Sequence, residues 1–158
     1  MIRLAKPGDL PRLLEIYEQA KEYMRHTGNP TQWAGNYPGQ QRLLGDIAAG
    51  QLYVLEEDGL HACFMLAPGP DPTYALIEGQ WGFDTPYGVL HRVASDGSIR
   101  RVLQKAVDFA AQRFDHLRID THADNAPMQR ALAREGFVLR GIIYTHDGSP
   151  RLAYDRMK

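Results

Sequence analysis

Apolar residues at Leu10, Leu13, Leu14, Tyr17, Ala20, Tyr23 and Met24 recur at the spacing of one face of an amphipathic helix. The helix this stripe predicts starts behind the turn formers Pro7-Gly8-Asp9, with Asp9 as its candidate cap, and stops before Gly28. Ahead of it, Met1–Lys6 reads as a short strand. Behind it, Thr27–Gln40 holds Gly, Asn and Pro together with Trp33 and Tyr37, which describes a loop with large aromatic groups to pack. A shorter helix follows over Gln40–Ala49, closed by Gly50.

Beyond Gly50 the period changes. Gln51–Glu56 and Leu60–Pro68, on either side of Glu57-Asp58-Gly59, have the pattern of a hairpin with an Asp-Gly turn. Tyr74–Trp81 and Tyr87–Ser95 are two further strand candidates, separated by the loop Phe83-Asp84-Thr85-Pro86. Val89–Ala94 then runs through Ser95-Asp96-Gly97-Ser98 into a helical stripe of Ile99, Val102, Leu103, Ala106, Val107, Ala110 and Phe114, and His116–Thr121 is again a strand. Strand, helix, strand is a crossover unit, which makes the two strands parallel and lays the helix on one face of the sheet. Asp124-Asn125-Ala126-Pro127 caps a further helix that Glu135-Gly136 ends. Phe137–Tyr144 and Arg151–Met157, joined across His146-Asp147-Gly148-Ser149-Pro150, close the chain as a hairpin. The fold class is α/β (α+β), a mixed sheet flanked by helices, in one domain over residues 1–158, without internal repeats, linkers or low-complexity tracts.

Composition narrows the function classes. A chain of 158 residues, 44% hydrophobic, encloses one sizeable core. With 23% charged residues and a formal net charge of −1 it has no strong field, so neither nucleic acid nor an anionic membrane is expected as partner. The single cysteine, Cys63, cannot form an internal disulfide and falls in a strand-like apolar run, where it reads as inert packing in a reducing cytosol. No signal core follows the N-terminus, and no uncharged apolar stretch approaches the ~20 residues of a membrane span. A soluble, cytoplasmic protein is therefore expected. The sequence has no nucleophile elbow, no phosphate loop ending in Gly-Lys-Ser/Thr and no Cys-x-x-Cys pair. His122 and Asp120 share a strand face, but no third ligand stands at a recognisable spacing, so no metal is expected.

The junction from Ala94 to Arg101 carries the first chemical signal. A helix start presents backbone N–H groups to anions, and Gly97 allows a ligand to come close. Arg100 and Arg101 fall in the expected first turn, where cations are disfavoured unless an anion offsets them. A solvent-facing helix start that happens to carry two arginines is the competing reading.

The order strand, anion-binding turn, helix, parallel strand, capped helix, Gly-Phe and terminal strands resembles the GNAT superfamily of N-acetyltransferases over almost the whole chain. The most specific piece is the run Leu117-Arg118-Ile119-Asp120-Thr121-His122-Ala123-Asp124-Asn125-Ala126-Pro127-Met128-Gln129-Arg130-Ala131-Leu132, ending in Glu135-Gly136-Phe137, which looks like the family's fifth strand, Asn-capped helix and Gly-Phe turn. Leu90-His91-Arg92-Val93-Ala94 similarly resembles its fourth strand. The resemblance implies a mostly antiparallel sheet with one parallel, splayed strand pair that admits acetyl-CoA. Backbone of Val93 and Ala94 would bond pantetheine, Gly97, Ser98, Ile99, Arg100 and Arg101 would hold pyrophosphate, and Asn125 would face the cofactor's arm. The usual Gln/Arg-x-x-Gly-x-Gly/Ala loop is shortened to Ala94–Ile99, with one of two glycines, and Asp96 adds a negative charge beside it. The tyrosine that the family often places four residues before the Gly of Gly-Phe is Leu132 here.

Direct transfer in such a site needs a base for the incoming ammonium and is helped by an acid for the departing thiolate. Glu78, in the apolar run Leu76-Ile77-Glu78-Gly79, is the first candidate base, since burial there would raise its pKa; an outward-facing strand residue is the competing reading. His91, in alternation with Val89 and Val93, is the second, against a core histidine satisfied by backbone. Tyr144 is the candidate to replace the missing acid, or else packs a strand end. Trp33, Tyr37 and Trp81 fall outside periodic core patterns and are candidates for the acceptor pocket, or for lidding the core. These readings converge on an N-acetyltransferase acting from acetyl-CoA on an amine of a small molecule or polypeptide, as a monomer or homodimer. A non-catalytic acyl-CoA-binding module, or an interaction protein that keeps only the fold, are the alternatives.

Overall fold

In the computed structural model, which describes residues 1–158, the first apolar stripe forms helix α1, Leu10–His26. It follows strand β1, Ile2–Leu4, and a short 3₁₀ turn at Pro7–Asp9. Helix α2 spans Gln40–Ala48 and ends at Gly50, whose φ of 68° favours glycine. Strands β2, Leu52–Glu56, and β3, Leu60–Pro68, form the antiparallel hairpin expected around Asp58-Gly59, both of which have positive φ. Beyond it lie β4, Glu78–Gly79; β5, Gly88–Ser95; α3, Val102–Ala111; β6, His116–Thr121; α4, Ala126–Arg134; β7, Val138–Tyr144; and β8, Pro150–Met157. The strand order is β1-β2-β3-β5-β6-β8-β7-β4. The predicted crossover is present, with β5 parallel to β6 in the register Gly88↔Leu117 and Val89↔Arg118, while β1–β2, β2–β3, β4–β7, β6–β8 and β7–β8 pair antiparallel. No helix is long and apolar enough to cross a membrane.

The chain forms two compact units, Met1–Leu66 with His91–Val102, and Ala67–Leu90 with Leu103–Lys158. In the first, the inward face of α1 (Leu13, Ile16, Tyr17, Ala20) packs with Leu43, Leu52, Val54, Cys63, Ala94 and Trp33. In the second, Tyr74, Val89, Ile143 and Ala153 cluster with Ile77, Trp81 and Tyr87.

Three expectations need correction. Tyr74–Trp81 is not a continuous strand. Pro72–Tyr74 is a 3₁₀ turn capped by Asp71, whose Oδ1 accepts from the Thr73 amide at 2.9 Å, and the ladder shrinks to Glu78–Gly79. Tyr74 is fixed instead by burial and by a hydrogen bond from its hydroxyl to Asp120 at 2.7 Å, a tertiary restraint that alternation cannot report. Helix α3 starts at Val102, so Ile99, Arg100 and Arg101 precede it, and Arg101 is left-handed at φ 57°. Asp9 stands at the start of α1 without capping it by its side chain; its carboxylate accepts from the Lys6 amide at 2.8 Å and pairs with Arg3 at 2.9 Å.

Gly88 shows how tightly the parallel pairing constrains the second unit. A Cβ on it would lie 2.4 Å from Cδ2 of Phe114, at the end of the α3 crossover. Gly88→Ala is therefore expected to lower stability by about 1–3 kcal/mol, the usual range for overpacking. Pairing it with Phe114→Ala should recover part of that loss, a non-additivity that denaturant titration of the double-mutant cycle measures.

Candidate active site

The close approach of two glycines sets the first pair of functional groups. Gly79 faces Gly141, and a Cβ on either would fall within 2.3 Å of the opposite backbone, so this pairing leaves no room for a side chain on either residue. That register sets Glu78 opposite Ile142, and Tyr144, two residues further along β7, projects on the same side. The Tyr144 hydroxyl donates to Glu78 Oε2 at 2.8 Å. The hydrogen bond, ahead of partial desolvation, raises the Tyr144 pKa and keeps the phenol protonated at neutral pH. Glu78 is exposed, so of its two readings the outward-facing strand residue holds and the buried carboxylate does not.

Strand β5 carries the second group of residues. Arg92 is left-handed, at φ 53°, in mid-strand, which interrupts the alternation expected of Val89, His91 and Val93. His91 and Val93 are half-buried, and Ala94 is buried. Past the strand, Asp96 organises the turn. Its carboxylate accepts from the Ser98 amide at 2.9 Å, from the Ser98 hydroxyl at 2.6 Å and from Arg12 at 2.6 Å, and lies 2.8 Å from Nδ1 of His61. Asp96 is therefore a compensated anchor rather than an adverse charge. The Gly97 amide donates to the Ser95 hydroxyl at 3.0 Å, so the amides of Gly97 and Ser98 are both engaged within the turn. Arg100 and Arg101 are exposed just ahead of α3.

Asn125 caps α4 as expected, its Oδ1 accepting from the Met128 amide at 3.2 Å. Of the aromatics, Trp33 belongs to the first unit's core, edge-on to Tyr17 at 5.5 Å between ring centroids. Tyr37 is more open, at 37% exposure, and its hydroxyl accepts from Arg92 at 3.0 Å. Trp81 donates to the Tyr74 carbonyl at 3.0 Å and has the Arg118 guanidinium 4.1 Å from its ring.

A solved structure of a GNAT-family acetyltransferase from Streptococcus agalactiae is 30% identical to the chain, covers 100% of it and 95% of its own length, and superposes with a TM-score of 0.91. The chain belongs to the GNAT acetyltransferase family. A proposed acetyltransferase of Staphylococcus aureus is 27% identical, with a TM-score of 0.70 and coverage of 99% of this chain and 98% of that one. A GNAT-family acetyltransferase of Listeria monocytogenes shares the fold at 17% identity and a TM-score of 0.70, covering 100% of this chain and 94% of that one. No protein-family model and no curated protein matches the sequence.

Within this GNAT enzyme, the helix position often held by a tyrosine is closed to chemistry, because Leu132 is completely buried. Two phenols lie beside carboxylates: Tyr74, buried against Asp120, and Tyr144, exposed against Glu78. Cys63 is fully buried, and desolvation lifts its pKa to about 12, so the thiol stays protonated.

Several polar residues escaped sequence reasoning. Asp46 was legible in principle, since it sits one helical turn from Leu43 on the inward face of α2, where a carboxylate needs a partner. Arg12, His61 and Tyr17 carried no such signal, because their partners are far along the chain.

The Asp96 cluster has a pH signature. Burial alone would raise the Asp96 pKa from 3.8, but the hydrogen bonds from Ser98 and His61 outweigh it and hold the group at about 2. Its stabilisation is complete above 3.8 and is lost as pH falls toward 2. The hydrogen bond to Asp96 raises the His61 pKa above 6.5, so that contribution is complete below 6.5 and is lost as pH rises through the raised value. Asp96→Asn should lower stability by about 1–2 kcal/mol at neutral pH. Relative to wild type its loss of stability on acidification should also be shallower, as thermal unfolding followed by circular dichroism from acid to mildly alkaline pH measures.

Proposed function

We propose that this GNAT enzyme transfers an acetyl group from acetyl-CoA directly to an amine of a small molecule or polypeptide, in a ternary complex, with Glu78 and Tyr144 as its proton-handling pair. The observation that carries the catalytic assignment is the 2.8 Å hydrogen bond from Tyr144 to Glu78. A phenol donating to a carboxylate is arranged to give a proton up on one side and take one back on the other.

Acetyl-CoA supplies the activated acyl group. The exposed Arg100 and Arg101, ahead of the ten-residue helix α3, fit its diphosphate. The amides of Gly97 and Ser98 are engaged by Ser95 and Asp96, so in this reading the grip falls to the two arginines and the start of α3, with Ile99 between turn and helix. Backbone of Val93 and Ala94 bonds the pantetheine arm.

The acceptor enters as ammonium and loses one proton to solvent, which leaves Glu78 ionised. As its nitrogen forms the C–N bond and the C–S bond breaks, the nitrogen gives up a further proton to Glu78, and Tyr144 protonates the sulfur. Return of the proton from Glu78 to Tyr144 restores both groups, with amide and CoA thiol as products. A thiolate leaves tolerably without help, so the acid accelerates the step rather than enabling it. His91 is the second candidate base. Tyr37 and Trp81, with rings less buried than Trp33, are the aromatics offered to an acceptor.

Calorimetric titration of the protein with acetyl-CoA should show saturable micromolar binding, and absence of binding would overturn the proposal. With an acceptor found by amine screening, Glu78→Gln and Tyr144→Phe should each lower kcat by roughly 10- to 100-fold, within the usual range for general acid–base groups, and leave the acetyl-CoA dissociation constant unchanged. Binding with no turnover on any amine would instead favour a non-catalytic acyl-CoA-binding module. Replacing Arg100 and Arg101 together by alanine should weaken acetyl-CoA by roughly tenfold or more, the scale of one charge-assisted contact. Unchanged affinity would place both arginines outside the site.

A further inference from the structure

Arg92 occupies a conformation that is uncommon for a residue with a side chain and is more so within a strand. Its φ of 53° lies in the left-handed region, and it falls in the middle of β5 rather than in a turn. Two independent anchors hold it there. The hydroxyl of Tyr17, a residue 1% exposed on α1, donates to the Arg92 carbonyl at 2.7 Å. The guanidinium is inserted against Asp46 of α2, with Nε and Nη2 at 2.9 and 2.7 Å from Oδ2, both side chains more than nine-tenths buried. Its remaining Nη1 donates to the Tyr37 hydroxyl at 3.0 Å. A carbonyl pinned by one helix and a side chain pinned by another leave the peptide between Arg92 and Val93 little freedom to rotate.

We infer that Arg92, latched by Asp46 and Tyr17, is a positioning residue that sets the direction of the Val93 and Ala94 backbone for acetyl-CoA. The inference rests on the proposed use of those two residues as the pantetheine-bonding segment. Arg92 itself touches no substrate. Its work is to hold a left-handed residue in a strand, which turns the following backbone groups out of the direction that simple alternation gives them. Glycine reaches the same φ without an anchor, which separates the backbone role from the ion pair.

The test is calorimetric titration with acetyl-CoA of variants first shown to be folded by circular dichroism melting. Asp46→Asn should weaken acetyl-CoA by tenfold or more. Tyr17→Phe, which removes only the hydroxyl on the Arg92 carbonyl, should weaken it by roughly threefold. Adding Arg92→Gly to Asp46→Asn should restore affinity to within about threefold of wild type, whereas adding Arg92→Ala should not. A merely structural latch would lower the melting temperature of all these variants and leave the dissociation constant of the folded protein where it was, and that result overturns the inference. So does a glycine double variant no better than the alanine one. Should Asp46→Asn fail to fold, Tyr17→Phe decides: unchanged affinity overturns the inference. If the wild-type protein does not bind acetyl-CoA at all, the proposed function fails with it, an outcome distinct from wild-type binding that the variants retain in full.

Discussion

The ion pair between Arg92 and Asp46 is the interaction on which the first unit's polar interior depends. Two opposite charges, each more than nine-tenths buried, are stable together and costly apart, because removing one leaves the other unsolvated. The pair therefore does more than bond a strand to a helix. It fixes where α2 must lie for Asp46 to reach β5, holds the left-handed residue in that strand, and leaves one guanidinium nitrogen to orient Tyr37 in the loop between α1 and α2. Tyr17 completes the arrangement from α1, and as a hydroxyl in an apolar core it also satisfies the carbonyl that the irregular strand would otherwise leave without a donor.

The second unit is organised by the same principle around a different carboxylate. Asp155 of β8 is completely buried, and its two oxygens take the Gly82 amide at 3.1 Å and the Arg140 guanidinium at 2.7 Å, with Nε2 of His116 at 3.0 Å. These bonds tie the excursion between β3 and β5 to β6, β7 and β8. Arg118 adds a second tie. Its guanidinium lies 4.1 Å from the rings of both Trp81 and Tyr87 and donates to the Phe83 carbonyl at 2.9 Å. A segment with little ladder of its own is thus held by buried polar groups, and Glu78 keeps a defined place at its edge opposite β7.

The chain shares the architecture of its family and differs from it in particular residues. The position that often supplies a phenol is a buried leucine, while a phenol and a carboxylate meet on the outer strands, where two glycines let the backbones approach. In the turn before α3, Asp96, balanced by Arg12 and His61, engages the Ser98 amide, the Ser95 hydroxyl engages the Gly97 amide, and two arginines stand exposed before the helix.

The sequence by itself determined the elements whose burial is periodic and local. The stripe of α1, the Asp-Gly hairpin, the crossover that makes β5 and β6 parallel, the Asn125 cap and the terminal hairpin all follow from spacing and backbone chemistry within a few residues. Glu78 and Tyr144 were legible as candidates, one as a carboxylate in an apolar run and the other as a phenol at a strand end. Only the tertiary structure decided that they touch, because the contact spans 66 residues and depends on the register of Gly79 with Gly141. It also decided that Tyr74–Trp81 is not a ladder, that α3 begins after Arg101, and that Arg92 is left-handed. Tyr74 and Arg92 are held by hydrogen bonds to residues distant in sequence, and such bonds leave no trace in hydrophobic period.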